Sequence, residues 1–232
     1  MSNSILNRVQ MFLTEANKAS VDISSTIVNE FGEACKDAFK KQFTDIREYK
    51  FRIRMSSIGR PLCQLQMEKS GAKREAQPYN NKLRFIFGDM IEAITMLLLK
   101  ASGTVVDSEQ KQVTRKSKYF ESGLNGTYDV EIDGKIYDIK SASDWAFKNK
   151  FSMGFDAVVE KDVFGYKSQG YLYADTENKK FGGWIVVNKS TGEMCIVSPP
   201  RDDTKHKKEA LQLADDNIKA LMENKPFKRC FD

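Results

Sequence analysis

The sequence predicts an α/β domain: a small mixed central β-sheet flanked by helices, with an N-terminal helical extension. Three observations carry this. Apolar residues recur at helical spacing near both ends and once in between. The middle of the chain turns to β-branched and aromatic runs. An Asp-Gly pair separates two of those runs. The 232 residues, 41% hydrophobic and 30% charged, suffice for one sizeable core. One domain over 1–232 is therefore expected, with 1–50 as helical elaboration, 51–200 as the core and 201–232 as a closing helix.

The elements follow in order. Residues 4–19 are a weak helix candidate. In "STIVNEFGEACKDAFKKQF" (25–43), Ile27, Phe31, Cys35, Ala38, Phe39 and Phe43 line one helical face opposite lysines. The strongest helix spans 81–101, with Leu83, Phe87, Met90, Ile94 and Leu97 or Leu98 as its core stripe and Gly103 beyond its end. "GTVVD" (103–107), the runs at 127–140, "GGWIVVN" and "EMCIV" read as strands, with "KSTG" turning between the last two. Leu211, Ala214, Ile218 and Leu221 mark a final helix, capped by Asp203 and ended before Pro226.

Composition excludes several functions. No apolar run spans a bilayer: "MIEAITMLLL" (90–99) is short and broken by Glu92. The N-terminus lacks a signal pattern, so a soluble, cytoplasmic protein with no membrane partner is expected. The single histidine, His206, lies among lysines and reads as a solvated helix start. This argues against histidine-based nucleophilic catalysis and leaves carboxylates, lysine and metal to carry any chemistry. The four cysteines contain no Cys-x-x-Cys pair and read as reduced thiols. A net charge of +5 is compatible with nucleic acid without requiring it.

The chemistry concentrates in "YDVEIDGKIYDIK" (128–140). With Asp133-Gly134 as a two-residue hairpin loop, Ile132 pairs with Lys135, Val130 with Tyr137 and Asp129 with Asp138. Alternation then puts Tyr128, Val130, Ile132, Tyr137 and Ile139 on a core face, and Asp129, Asp138 and Lys140 on the other. Directly opposed carboxylates destabilise a sheet. Either a hard divalent cation sits between them, with Lys140 beside it, or the face is solvated and water screens it. Glu92 sits among apolar residues on the helix expected to cover the sheet, where a lone carboxylate is costly. It joins the aspartates, pairs with an arginine, or points to water. On a helix at 166–176, Gln169 and Tyr173 are one turn apart.

These stretches together resemble the PD-(D/E)xK nuclease superfamily, and most nearly its RecB-like and lambda-exonuclease-like branch. "RMSSIGRPLCQLQME" (54–68) is similar to that branch's entry motif, "FGDMIEA" (87–93) to its Gly-x-x-x-Glu helix, "GTYDVEIDGKIYDIK" (126–140) to its Asp hairpin with D-x-K, and "QGYLY" (169–173) to its Q-x-x-x-Y. The likeness covers about residues 54–190. Two departures stand out. Tyr128 replaces the proline before Asp129. Some relatives hold an iron–sulfur cluster on one early and three late cysteines, but only Cys195 and Cys230 follow Cys63 late in this chain.

The resemblance implies a restriction-endonuclease-like core and a metal-dependent DNA exonuclease, of the kind that serves phage-type recombination in a bacterial or phage-infected cell. A structure-specific endonuclease and a non-catalytic binding module are the alternatives. Glu92, Asp129, Asp138 and the carbonyl of Ile139 would hold Mg²⁺ or Mn²⁺. Lys140 would orient the attacking water and offset charge, while Gln169 and Tyr173 position it. Implied partners are DNA, as duplex ends or single strands, a single-strand annealing protein and further copies of the chain. Arg60 and Ser57 are the implied phosphate contacts. Trp145, Lys148 and Lys150 in "DWAFKNKF" interleave rings and cations as single-strand binders do, or else that stretch packs its aromatics into the core.

Overall fold

Backbone polarity and side-chain alternation leave a β-rich middle segment one economical solution, a sheet with both faces covered by helices. A computed structural model describes residues 2–44, 51–73, 75–160 and 162–230 of the chain. The parts of the expected 1–50 extension and of the outer bounds at Met1, 45–50 and 231–232 lie outside the described residues.

Strands β1 (Ser108–Ser117), β2 (Phe120–Ile132), β3 (Lys135–Ala142), β4 (Lys180–Asn188) and β5 (Met194–Val197) form one five-stranded sheet in that spatial order. Only the β3–β4 pair is parallel; the other pairs are antiparallel, so the sheet is mixed as expected. The β2–β3 loop is the predicted two-residue turn. Asp133 and Gly134 have φ of 51° and 65°, the left-handed pair that a type I′ turn needs. The observed pairs Ile132↔Lys135, Glu131↔Ile136 and Val130↔Tyr137 match the expected register.

One face is covered by α1 (Ser2–Ala16) and α5 (Tyr79–Ala101). Ile5, Val9 and Leu99 pack there on Val130, Ile132, Tyr137, Ile139 and Ile185. The N-terminal helix α1 thus completes the core. Helix α2 (Ser25–Phe43) lies along α5, where Lys41 and Gln42 both hold Asp89. The other face carries α3 (Met55–Ile58), α4 (Leu62–Lys69), the β3–β4 crossover and α9 (Thr204–Met222). That crossover runs through α6 (Asp144–Ala146), a wider π-helical turn (Phe147–Phe151), α7 (Phe155–Glu160) and α8 (Tyr166–Thr176).

Several expectations need correction. "GTVVD" forms no strand: β1 begins at Ser108, on a polar segment whose pattern predicts nothing, and is recruited by pairing with β2. The core stripe of α5 is rotated. Ile86, Ala93, Thr95 and Leu99 are buried, whereas Leu83, Phe87 and Ile94 are exposed, because α2 and the sheet meet α5 on different sides. On α2 only Ala38 is buried, with Phe39 and Phe43 exposed. His206 is not solvated: its ring meets Phe155 edge-on at 5.3 Å and its Nδ1 lies 2.9 Å from the capping Asp203.

Candidate active site

The site arises where the sheet's alternation slips. Leu124 and Tyr128 pack on the α8 side with Ile136 and Tyr173, while Val130 and Ile132 pack on the α5 side. Tyr128 therefore does not share a face with Val130, contrary to expectation. On β1, between the pairs Glu109↔Val130 and Lys111↔Tyr128, Gln110 has φ of 45°, a local twist opposite the slip. Asp129 sits at this point. The β2–β3 ladder has ended one step earlier, at Val130↔Tyr137, and the Asp129 carboxylate accepts the Ile139 N–H at 2.6 Å across the gap. The two aspartates thus flank the opening of the hairpin instead of pairing as ladder partners.

On β3, alternation sends Asp138 and Lys140 to the α8 side, opposite Tyr137 and Ile139. Lys140 Nζ lies 2.5 Å from Asp138 Oδ2, with the lysine side chain 18% and the aspartate side chain 2% exposed. The contact is a close, charge-assisted ion pair that holds the Asp138 carboxylate. The Lys140 ammonium also lies 4.9 Å from the ring centre of Tyr166, the first residue of α8. One turn along α8 from Gln169 lies buried Tyr173, close enough that the Gln169 side chain counters the upward shift of its hydroxyl.

Electrostatics bind these groups into one unit. Burial pushes the Asp129 carboxyl well above the usual range, and the charges of Asp138 and Glu92 add to this against Lys140 and the Ile139 N–H. Glu92 is also raised, first by burial and then by Asp138 and Asp89, with Lys41 and Lys140 opposing. Burial alone would lower Lys140. Asp138 and Asp129 outweigh it, and the ammonium is held protonated. Burial, then the two aspartates, push the Tyr173 hydroxyl up to about 12. Such mutual shifts mark carboxylates held together against their repulsion.

Glu92 comes in from α5, but its Oε1 accepts from Gln110 Nε2 at 2.5 Å. Among the described residues, no three His, Cys, Asp or Glu side chains gather into a group that could hold a metal. The described residues thus present these carboxylates close together without a closed three-carboxylate cage. The donors do fit a looser site for a hard cation. Asp129 and Asp138 are oxygen ligands near each other, and Mg²⁺ commonly takes one or two carboxylates and leaves the rest to water and phosphate.

The outer contacts fall differently from expectation. Arg60 forks onto Glu68 at 3.0 and 2.8 Å, and Ser57 Oγ donates to the Arg54 carbonyl, so the entry motif is engaged internally. Its Gly59 lies against Ser168, which buttresses the start of α8. Phe147 and Phe151 pack in the core, Trp145 is 73% exposed, and Lys148 pairs with Asp144 at 3.0 Å. The iron–sulfur pattern also ends short: the Cys63 N–H meets Cys230 Sγ at 3.1 Å, while Cys195 sits on β5. Gln110 and Tyr166 were missed by sequence reasoning. Tyr166 was readable as the residue opening a helix near Lys140, whereas nothing in the polar run 108–117 signals Gln110.

Comparison with known proteins adds little. No family model and no curated protein matches the chain. Four chains of solved structures match. One, described as "Crystal structure of SSO0001", is 14% identical over 84% of this chain and 87% of its own, with a TM-score of 0.46. A likeness this loose carries no argument about the site.

Proposed function

We propose that the chain is a metal-dependent nuclease that hydrolyses phosphodiester bonds of linear DNA as an exonuclease. The observation that supports this best is the unit of Asp129, Asp138 and Lys140 at the open end of the hairpin. Asp138 is buried and Asp129 half-buried, the Asp129 carboxyl is raised by desolvation and by the charges of Asp138 and Glu92, and a lysine is held protonated beside them. A protein that only binds a polyanion gains nothing from carboxylates aimed at it.

Asp129 and Asp138, with Glu92 and the Ile139 carbonyl, are the residues that would hold Mg²⁺ or Mn²⁺. The ion supplies charge neutralisation at the phosphate and a bound water of lowered pKa. Because Lys140 stays protonated, it is suited to offset charge developing on the phosphate oxygens and not to remove a proton. Tyr173 and Gln169, one turn apart on α8, would position the lysine's side of the site. In the net reaction, a water oxygen adds to phosphorus, the P–O ester bond breaks and the leaving oxygen takes a proton.

The test is digestion of end-labelled linear duplex beside a covalently closed circle, in Mg²⁺, Mn²⁺ or EDTA. Metal-dependent loss of the linear DNA alone is expected. Cutting of the circle would make the protein an endonuclease. DNA bound but uncut in either metal would leave a binding module.

A further inference from the structure

We infer that Phe164 and Tyr166, with Lys150, form a subsite that stacks an unpaired nucleobase beside the carboxylate–lysine centre. The inference rests on the nuclease reading above and names what that site grips: the terminal, unpaired base of a DNA strand. Tyr166 lies between two ammonium groups, Lys140 at 4.9 Å and Lys150 at 5.4 Å from its ring centre. Phe164 stacks on Tyr166, with centroids 5.4 Å apart and planes 20° from parallel. Lys150 also sits 5.9 Å from the Phe164 ring and 6.0 Å from buried Phe151.

Two features make this row a binding surface instead of a patch of core. Phe164 is 56% exposed, so part of the ring faces water although it is held in a stack. Its loop is also fixed from behind. The Lys167 N–H donates to Asp162 Oδ2 at 2.8 Å, and Gly165 abuts Gly59 and Arg60. A preorganised ring spends little ordering free energy when a ligand stacks on it.

The occupant follows from continuity and charge. The row runs from Phe164 through Tyr166 to Lys140, and so to Asp138. A base stacked on Phe164 places its own phosphates near Lys150 and Lys140, the pairing of ring and cation that single-stranded nucleic acid selects. The one carboxylate in the loop, Asp162, is turned to the backbone of Lys167. The sequence offered Trp145, Lys148 and Lys150 as a platform; Trp145 is exposed, and the structure adds Phe164 and Tyr166 beside Lys150.

The experiment compares wild type, Phe164→Ala, Phe164→Trp and Lys150→Ala on linear DNA whose terminal residue carries its base or is abasic, each end tested separately. The readouts are steady-state kinetics in Mg²⁺ and equilibrium binding of a fluorescent single-stranded oligonucleotide in EDTA. Phe164→Ala should lower kcat/KM about tenfold through KM, with Phe164→Trp restoring it. An abasic end should cost the wild type a similar factor and cost Phe164→Ala nothing more. A wild-type KM in Phe164→Ala, or an equal abasic penalty in both proteins, overturns the subsite. Phe164-dependent binding without cleavage by the wild type would sink the nuclease reading and keep the subsite. Absence of binding together with absence of metal-dependent cleavage would remove both.

Discussion

Asp129 carries two demands that conflict. As a half-buried, poorly hydrated carboxylate beside Asp138 and Glu92 it favours the protonated form, yet a cation ligand must be ionised. Without metal, the folded protein holds a proton on Asp129 at pH values where the unfolded chain has lost it. Stability is therefore highest on the acid side of the raised value and falls as pH rises through it. Asp129→Asn keeps an oxygen for the Ile139 N–H and removes the charge. In EDTA it should melt higher than wild type above neutral pH, by about 2–4 °C per kcal/mol relieved, with a flatter dependence of Tm on pH. Equal pH slopes in calorimetric melts would contradict this. Mg²⁺ should raise the Tm of wild type more than that of the variant. Much of this site was legible in the sequence, because hairpin register is set by two residues, Asp133 and Gly134. The slip at Asp129 was not, since it depends on Gln110 in a polar run with no periodicity.

At the scale of elements, the site depends on how closely α8 approaches β2. A Cβ on Gly126 would lie 2.4 Å from the Tyr173 ring and 3.1 Å from Met55 Cβ, so the strand must carry glycine for the tyrosine to lie flat there. Gly126→Ala should destabilise the fold by about 1–3 kcal/mol and lower activity more than stability alone explains, since Tyr173 moves with α8. Denaturant unfolding beside kinetics on the folded fraction checks this. Gly126→Ala with wild-type values for both would show that the contact yields. The extents of α2, α5, α8 and α9 followed from periodicity and caps. The buried face of α5 did not, because a helix rich in Leu, Ile, Met and Phe offers several stripes and only packing against α2 and the sheet chooses one.

Across the whole molecule, the N-terminal helices serve the core and shape the approach to the site. Ile5 and Val9 are 2% and 1% exposed against the central strands, so Ile5→Ala should cost about 2–4 kcal/mol in chemical denaturation. A loss under 1 kcal/mol would mean that α1 is merely appended. Between α2 and α5 lies a cleft of 1130 Å³ that reaches Glu92 and carries Glu30, Glu33, Asp37, Asp89 and Glu109 against only Lys40, Lys41 and Lys100. Its acidic balance would repel phosphates, so under the proposed function the Lys150 side is the approach for DNA. Glu33→Lys should accordingly leave KM for DNA within about twofold, whereas Lys150→Ala raises it and weakens its salt dependence. The reverse ranking would put the strand in the cleft.

In the proposed function, Asp138 and Lys140 act together in metal-dependent phosphodiester hydrolysis. The most direct measurement is the rate of nucleotide release from linear duplex in Mg²⁺ by wild type, Asp138→Asn and Lys140→Ala, each confirmed folded by its melting curve. The account predicts release by wild type that EDTA abolishes, and a fall of about 10²–10³-fold or more in each variant. Folded variants that release nucleotides at the wild-type rate would contradict it.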